Sequence, residues 1–240
     1  MPASNHILLY IAAILLTACT HTRTGNAYPD REKYDVIGID VSAHNGKIDF
    51  DKVAADGVSF VIIKATEGAT FKDKNFIDNY RNATKAGLKV GAYHFFRFET
   101  PGYMQGLNFV NSIRGRELHL PVVIDIEEWS NAIGQPTRTV IDRLNEMIRH
   151  LENHGYRVML YTNKNGYKRF LKGNFPGYDV WICSLAEEPD IEEWTLWQAT
   201  HSGHIDGVSR SVDVNAFKGS AADWEQWLDS HNKSQVNNVN

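Results

Sequence analysis

The stretch VSFVIIKATEGATFKDKNFIDNYRNATKAGLKVGAYHFF, residues 58–96, contains one complete unit of the fold. VSFVIIKAT is almost continuously apolar, the pattern of a strand buried on both faces. KNFIDNYRNATKAG places apolar residues at helical spacing and stops at Gly87. LKVGAYHFF then returns to strand character. Strand, helix and strand in that order favour neighbours in a parallel sheet.

The same alternation extends in both directions. Upstream lie a strand candidate, VIGIDV (36–41), and a short helical stretch, DFDKVAADG (49–57). Downstream, GYMQGLNFVNSIRG (102–115) reads as a helix and LPVVIDIE (120–127) as a strand. Thr137 is expected to cap the helix RTVIDRLNEMIRHLENHG (138–155). YRVMLYTN (156–163) is a strand and KNGYKRFLKG (164–173) a short helix or helical loop. YDVWICSLA, WTLWQAT and RSVDVNAF are further short strands whose connections are too brief for full crossover helices. AADWEQWLDSHNKSQVNNVN (221–240) begins as a short helix and becomes a polar tail.

Eight strand candidates in one body suggest a closed barrel rather than an open doubly wound sheet. A regular (β/α)8 barrel takes about 250 residues. The body here spans 34–230, so the expectation is an irregular, TIM-like α/β barrel with eight strands and fewer than eight helices. No internal repeat or linker divides it.

Composition narrows the function. Of 240 residues, 25 are Lys or Arg and 29 are Asp or Glu, a net charge of -4. That balance gives no electrostatic case for nucleic acid. No protein partner is evident either. Cys183 is the one cysteine in the body, so no disulfide framework supports the fold. The N-terminus differs in kind. HILLYIAAILLTACT (6–20) is an apolar run of signal-peptide length, too short for a confident membrane span. It closes on Leu16-Thr17-Ala18-Cys19, which resembles the lipobox of bacterial lipoproteins, although MPASNH before it has no Lys or Arg. The expected organisation is a signal peptide over 1–18, a lipidated Cys19 with a polar tether over 19–33, the barrel over 34–230 and a polar tail over 231–240. The chain is then exported and anchored to membrane lipid through Cys19, or secreted outright.

The chemistry concentrates in acids. Asp125 and Glu127 end an apolar strand and, at period two, share a face that Glu128 does not. Asp40 in GIDVS and Asp213 in SVDVNAF also read as late strand residues. In a parallel barrel those ends converge on one mouth. A single acid at a strand end is more often a cap or turn former, and Asp49 and Asp51 are read that way. Crowding all of Asp40, Asp125, Glu127 and Asp213 raises their pKa values, a cost that metal binding or acid catalysis justifies. His94 is the one histidine late in a predicted strand, too little for a metal ligand set, so the expectation is acid catalysis with no metal and no cofactor. Tyr93, Phe95, Trp129, Trp181 and Trp197 lie in or near strand ends, where rings suit the C–H faces of sugars. Glycoside hydrolysis needs such a carboxyl pair.

With these residues assembled, the sequence resembles the glycoside hydrolase family 25 lysozymes, the Chalaropsis-type muramidases. The resemblance rests on GIDVSAHNGKIDF, FVIIKATEG, GAYHFFRF, PVVIDIE, YTNKNGY and LWQATHSGHIDGVSRSVDVNAF, in that order from Val36 to Phe217. It implies a flattened β/α barrel that cleaves the β-1,4 bond from N-acetylmuramic acid to N-acetylglucosamine in peptidoglycan glycan strands. It also implies Glu127 as general acid, Asp125 assisting the 2-acetamido group, and Asp40 and Asp213 as supporting carboxylates. Tyr93, Tyr161, Trp181, Trp197 and Gln198 then fall to substrate binding. Retention through a cyclic intermediate is expected, with inversion by an activated water as the alternative. A binding module without turnover and a metal-dependent hydrolase are the rivals from other classes. Two features depart from the family pattern: Glu128 directly after the pair, and CSLAEEPD in place of an aromatic- and glycine-rich loop.

Overall fold

Phe60, Ile62 and their strand neighbours Val61 and Ile63 divide cleanly between two cores, and that division is the barrel wall. The computed structural model of the chain describes residues 29–185 and 187–236, with side chains described to residue 230. The expected signal peptide, Cys19 and most of the expected tether lie outside the described residues. The strands are β1 (Ile37–Val41), β2 (Phe60–Glu67), β3 (Phe71–Lys72), β4 (Lys89–Phe95), β5 (Val122–Asp125), β6 (Val158–Asn163), β7 (Asp179–Cys183), β8 (Leu196–Gly203) and β9 (Val212–Phe217). Eight of these close a barrel in the order β1-β2-β4-β5-β6-β7-β8-β9, with β9 returning to β1. β3 is a two-residue ribbon folded back on the end of β2, unannounced by any sequence pattern.

Inside the barrel, Phe60 and Ile62 meet Val123, Met159, Trp181 and Leu196. Outside it, Val61 and Ile63 join the apolar faces of the helices. These are α1 (Phe50–Ala55), α2 (Phe76–Lys85), α3 (Gly102–Ile113) and α4 (Thr137–Asn153), then α5 (Lys164–Gly166) running into a π-turn at Tyr167–Leu171, and α6 (Ala221–Val236). α4 shows how the pattern acts: Val140, Leu144, Met147, Ile148 and Leu151 form one buried stripe. Gly38 on β1 makes the interior possible, since a Cβ there would lie 2.3 Å from the Phe60 ring. Trp224 and Leu228 of α6 plug the lower end, with Trp224 stacked on Phe60.

The barrel is irregular for two reasons. Among the described residues, no helix covers the connections from β7 to β8 or from β8 to β9. The sheet is also not fully parallel, because β9 runs antiparallel to both β1 and β8. The brief link from Gly203 to Val212 leaves no room for a crossover and turns the chain back. Two local expectations change. Thr137 is the first helical residue rather than the cap, Pro136 precedes it, and the Thr137 hydroxyl accepts from Arg169 Nε at 3.0 Å. α6 continues to Val236, past the boundary set for the polar tail. Asp49 does cap α1, accepting from the Lys52 N–H.

Candidate active site

Asp40 and Asp213 are direct cross-strand partners. Asp40 stands late in β1, as expected, but Asp213 is near the start of β9. It reaches the mouth only because β9 runs backwards, so the sequence reading of it as a late strand residue is corrected. β5 formally ends at Asp125, yet its pleat continues: Ile126 N–H donates to Tyr161 O at 2.8 Å and Ile126 is wholly buried on the outer side. Asp125 and Glu127 therefore both face a cleft of about 570 Å³ that Asp40 and Asp213 also line. Glu128 points away and pairs with Arg169. The segment after Glu127 is fixed by Asn131, whose side-chain amide donates to Glu127 O at 2.7 Å and to Phe96 O at 3.0 Å.

Gln198 joins the acids to the rest of the site. Its amide Nε2 donates to Asp40 Oδ2 at 2.9 Å and to Asp213 Oδ2 at 3.4 Å. Its Oε1 accepts from Tyr161 OH at 2.6 Å. Asn215, two residues after Asp213, donates to Asp40 Oδ2 at 2.9 Å and accepts from Trp181 Nε1 at 2.9 Å. Asp125 differs: its Oδ1 is buried and makes no hydrogen bond within the protein. Lys64 Nζ sits 2.7 Å from Glu67 and 5.0 Å from the Phe95 ring centroid, on the same wall.

Burial is the largest influence on all four carboxyls, and it raises each. Repulsion from Asp213 adds to the rise at Asp40, and repulsion from Glu127 to that at Asp125. The Lys64 charge partly offsets the rise at Asp125. Asp213 is lifted from 3.8 to about 6. A carboxyl raised on folding holds its proton more tightly in the folded chain than in the unfolded one. Its contribution to stability is full below the unfolded value and lost as pH climbs through the folded one. For Asp213 that window runs from 3.8 to about 6. Asp213→Asn is therefore expected to melt higher than the wild type at about pH 7, with the advantage vanishing by about pH 4. Paired thermal melts across that range check the sign, and a difference that stays constant with pH would contradict it.

The other expected residues separate. Tyr93, Tyr161, Trp181 and Gln198 line the cleft, and Phe95 and Trp129 form one lip. Trp129 is 75% exposed and meets Phe95 edge-on. Trp197 is not in the lining. It faces outward, packs edge-on to Tyr34 and Trp194, and donates from Nε1 to Ser184 O at 2.7 Å. Period two explains this, because Gln198 next to it points inward. His94 is also outside the cleft, fully buried between Thr66 Oγ1 at 2.7 Å and Gln105 Oε1 at 3.1 Å. Burial pushes its pKa down to about 4, so the ring is neutral. The CSLAEEPD loop is tied by charge, with Glu188 on Lys33 and Tyr34 and Glu187 on Lys164.

Ser42, His44, Lys64 and His201 line the cleft and were not singled out from the sequence. Lys64 carried a usable signal, a lysine inside an apolar strand. Asn215 carried another, since period two from Asp213 turns it inward. Among the described residues, no set of three or more His, Cys, Asp or Glu side chains is grouped to hold a metal ion. No helix among them is long and apolar enough to cross a membrane.

Comparison with known proteins gives a consistent result. Residues 39–208 match the family described as Glycosyl hydrolases family 25. An autolytic lysozyme of Clostridium acetobutylicum is 34% identical over 182 residues, covering 75% of this chain and 55% of the relative. Lysozyme M1 of Streptomyces globisporus is 35% identical over 204 residues, covering 78% of this chain and 69% of the relative. This chain thus spans little more than half the length of the Clostridium protein. Among solved structures, a family 25 glycosyl hydrolase from Bacillus anthracis superposes with a TM-score of 0.77 at 33% identity, covering 85% of this chain and 98% of that one.

Proposed function

This chain belongs to glycosyl hydrolases family 25, and from that premise we propose that it hydrolyses the β-1,4 bond between N-acetylmuramic acid and N-acetylglucosamine in peptidoglycan. The observation that carries the reading is the placement of Asp125 and Glu127 on one cleft wall, with Asp125 Oδ1 buried and unpartnered. Glu127 is raised by burial and is the proton donor to the leaving O4 as the bond to C1 breaks. The 2-acetamido oxygen attacks C1 and forms a cyclic oxazolinium intermediate. Its N–H donates to the open oxygen of Asp125, and that bond favours the ionised carboxyl there, as does Lys64. Before cleavage the pair therefore holds one proton, on Glu127, and its delivery to O4 leaves Glu127 ionised as the intermediate forms. Water next attacks C1, gives its proton to Glu127, and the ring opens with net retention. Asp40 and Asp213, fixed by Gln198 and Asn215, hold the floor of the site.

Digestion of defined peptidoglycan is expected to release muropeptides with reducing N-acetylmuramic acid ends. Reducing N-acetylglucosamine ends would refute the bond assignment. The first-formed anomer, read by proton NMR, separates retention from inversion.

The same proposal extends to location. Leu16-Thr17-Ala18-Cys19 after an apolar run supports a lipoprotein whose mature chain begins at Cys19. One acyl chain anchors only marginally, so two or more are expected. Cys19→Ser is expected to release the protein from the membrane fraction. An unmodified N-terminus by mass spectrometry would leave plain secretion.

A further inference from the structure

The second half of β8 departs from regular alternation. Gln198 faces the cleft and Ala199 is fully buried on the outer side. Strict period two would then send Thr200 inward and His201 out. The register against β9 shifts between Gln198 and Thr200, so that Thr200 pairs with Val214, a residue of the outer core. A bulge inserts one residue and re-aims the side chains that follow. Here it turns His201 into the cleft, with its Nε2 2.9 Å from Gln198 Oε1.

The chemistry of Gln198 fixes the proton on that ring. The amide nitrogen is the end that faces the acids, at 2.9 Å from Asp40 Oδ2 and 3.4 Å from Asp213 Oδ2, and Asp40 Oδ2 accepts from Asn215 as well. The other end is the carbonyl, and it can only accept. Tyr161 OH is one donor and His201 Nε2–H is the second. Around the ring stand the Cys183 thiol of β7, 3.7 Å from Nε2, and Gln198 of β8. Asp40 of β1 and Glu127 beyond β5 are its acidic neighbours.

We infer that His201 is a positioning residue for glycan cleavage: its Nε2–H clamps the Gln198 carbonyl so that the Gln198 amide stays directed at Asp40 and Asp213. This rests on the muramidase reading of the cleft. A Gln amide rotates readily about its last torsion. If flipped, it would set its carbonyl against both acids, leaving Asp40 with Asn215 alone and taking the Gln198 donor from Asp213. Tyr161 holds the carbonyl from within the barrel, and His201 completes the hold from the open side.

Two measurements test the clamp. Nitrogen–proton correlation of the imidazoles in the intact chain, with the His201 signals assigned by their loss in His201→Gln, is expected to show a fixed Nε2–H tautomer. Gln198→Leu should abolish that preference. A wild-type ring that averages between tautomers overturns the inference, and this readout needs no catalysis. On peptidoglycan, His201→Ala is expected to lower kcat about tenfold while KM changes less than about twofold. His201→Gln, whose amide N–H reaches the same carbonyl, should recover kcat to within about threefold of wild type. Unchanged kcat in His201→Ala, or no recovery in His201→Gln, overturns the inference. A wild-type chain with the fixed tautomer but no cleavage would instead refute the muramidase reading and leave the clamp standing.

Discussion

Glu127→Gln is expected to lower turnover on peptidoglycan by about 10² to 10⁴-fold while glycan binding persists. The substitution keeps the size of the side chain and much of its hydrogen bonding. In the proposed mechanism it removes the proton delivered to the leaving O4. Glu128→Gln is the internal control. Its carboxylate lies outside the cleft, paired with Arg169 and 45% exposed. An exposed pair of this kind is worth about 0–1 kcal/mol, so activity and stability should stay near wild type. Binding of an uncleaved glycan fragment, measured by calorimetry beside the rate, separates lost chemistry from lost structure. If Glu128→Gln abolished cleavage and Glu127→Gln did not, the assignment of the proton donor would be wrong.

Gln105→Leu carries the largest expected cost to stability, about 2–4 kcal/mol, because several bonds fail together. Gln105 is fully buried in α3. Its Oε1 accepts from Arg97 N–H at 2.7 Å and from His94 Nε2 at 3.1 Å. Its Nε2 donates to Arg97 O at 2.9 Å and Thr100 O at 3.0 Å. Leucine fits the volume and meets none of these groups. Arg97 in turn grips Glu67 and Ser130 O, so the lip that carries Trp129 should loosen as well. Urea unfolding should show a lower midpoint at an unchanged slope. A loss below about 1 kcal/mol would mean that water satisfies the freed groups.

Much of this was legible in the chain because strands and acids announce themselves by spacing. The apolar runs around Ile62, Val123 and Leu160 marked the barrel wall, and period two put Asp125 and Glu127 on one face. What spacing does not encode is direction. Nothing in SVDVNAF says that β9 runs backwards, so a residue near the start of that strand, Asp213, reaches the mouth that its reading as a late strand residue also gives. Nor does spacing say which face is inside. Trp197 and Gln198 are neighbours that were assigned together to substrate, yet one faces the outer core and the other the acids. His201 was hidden for a related reason, since a bulge breaks the alternation that sequence reading depends on. His94 alone is too little for a metal ligand set, and the structure gives it Gln105 and Thr66 as partners.

The seam between β1 and β9 has a consequence in time. The first strand of the barrel cannot be sealed until the last has been made, and Asp40 and Asn215, bonded across that seam, lie 175 positions apart. Until β9 docks, β1 and β8 present raw edges, and contacts of such sequence separation form slowly. The same late event brings Asp213 to Asp40 and sets Asn215 against it. An unfinished chain thus has no assembled acid floor. If the proposed activity holds, a chain that has not yet closed this seam is expected to lack it.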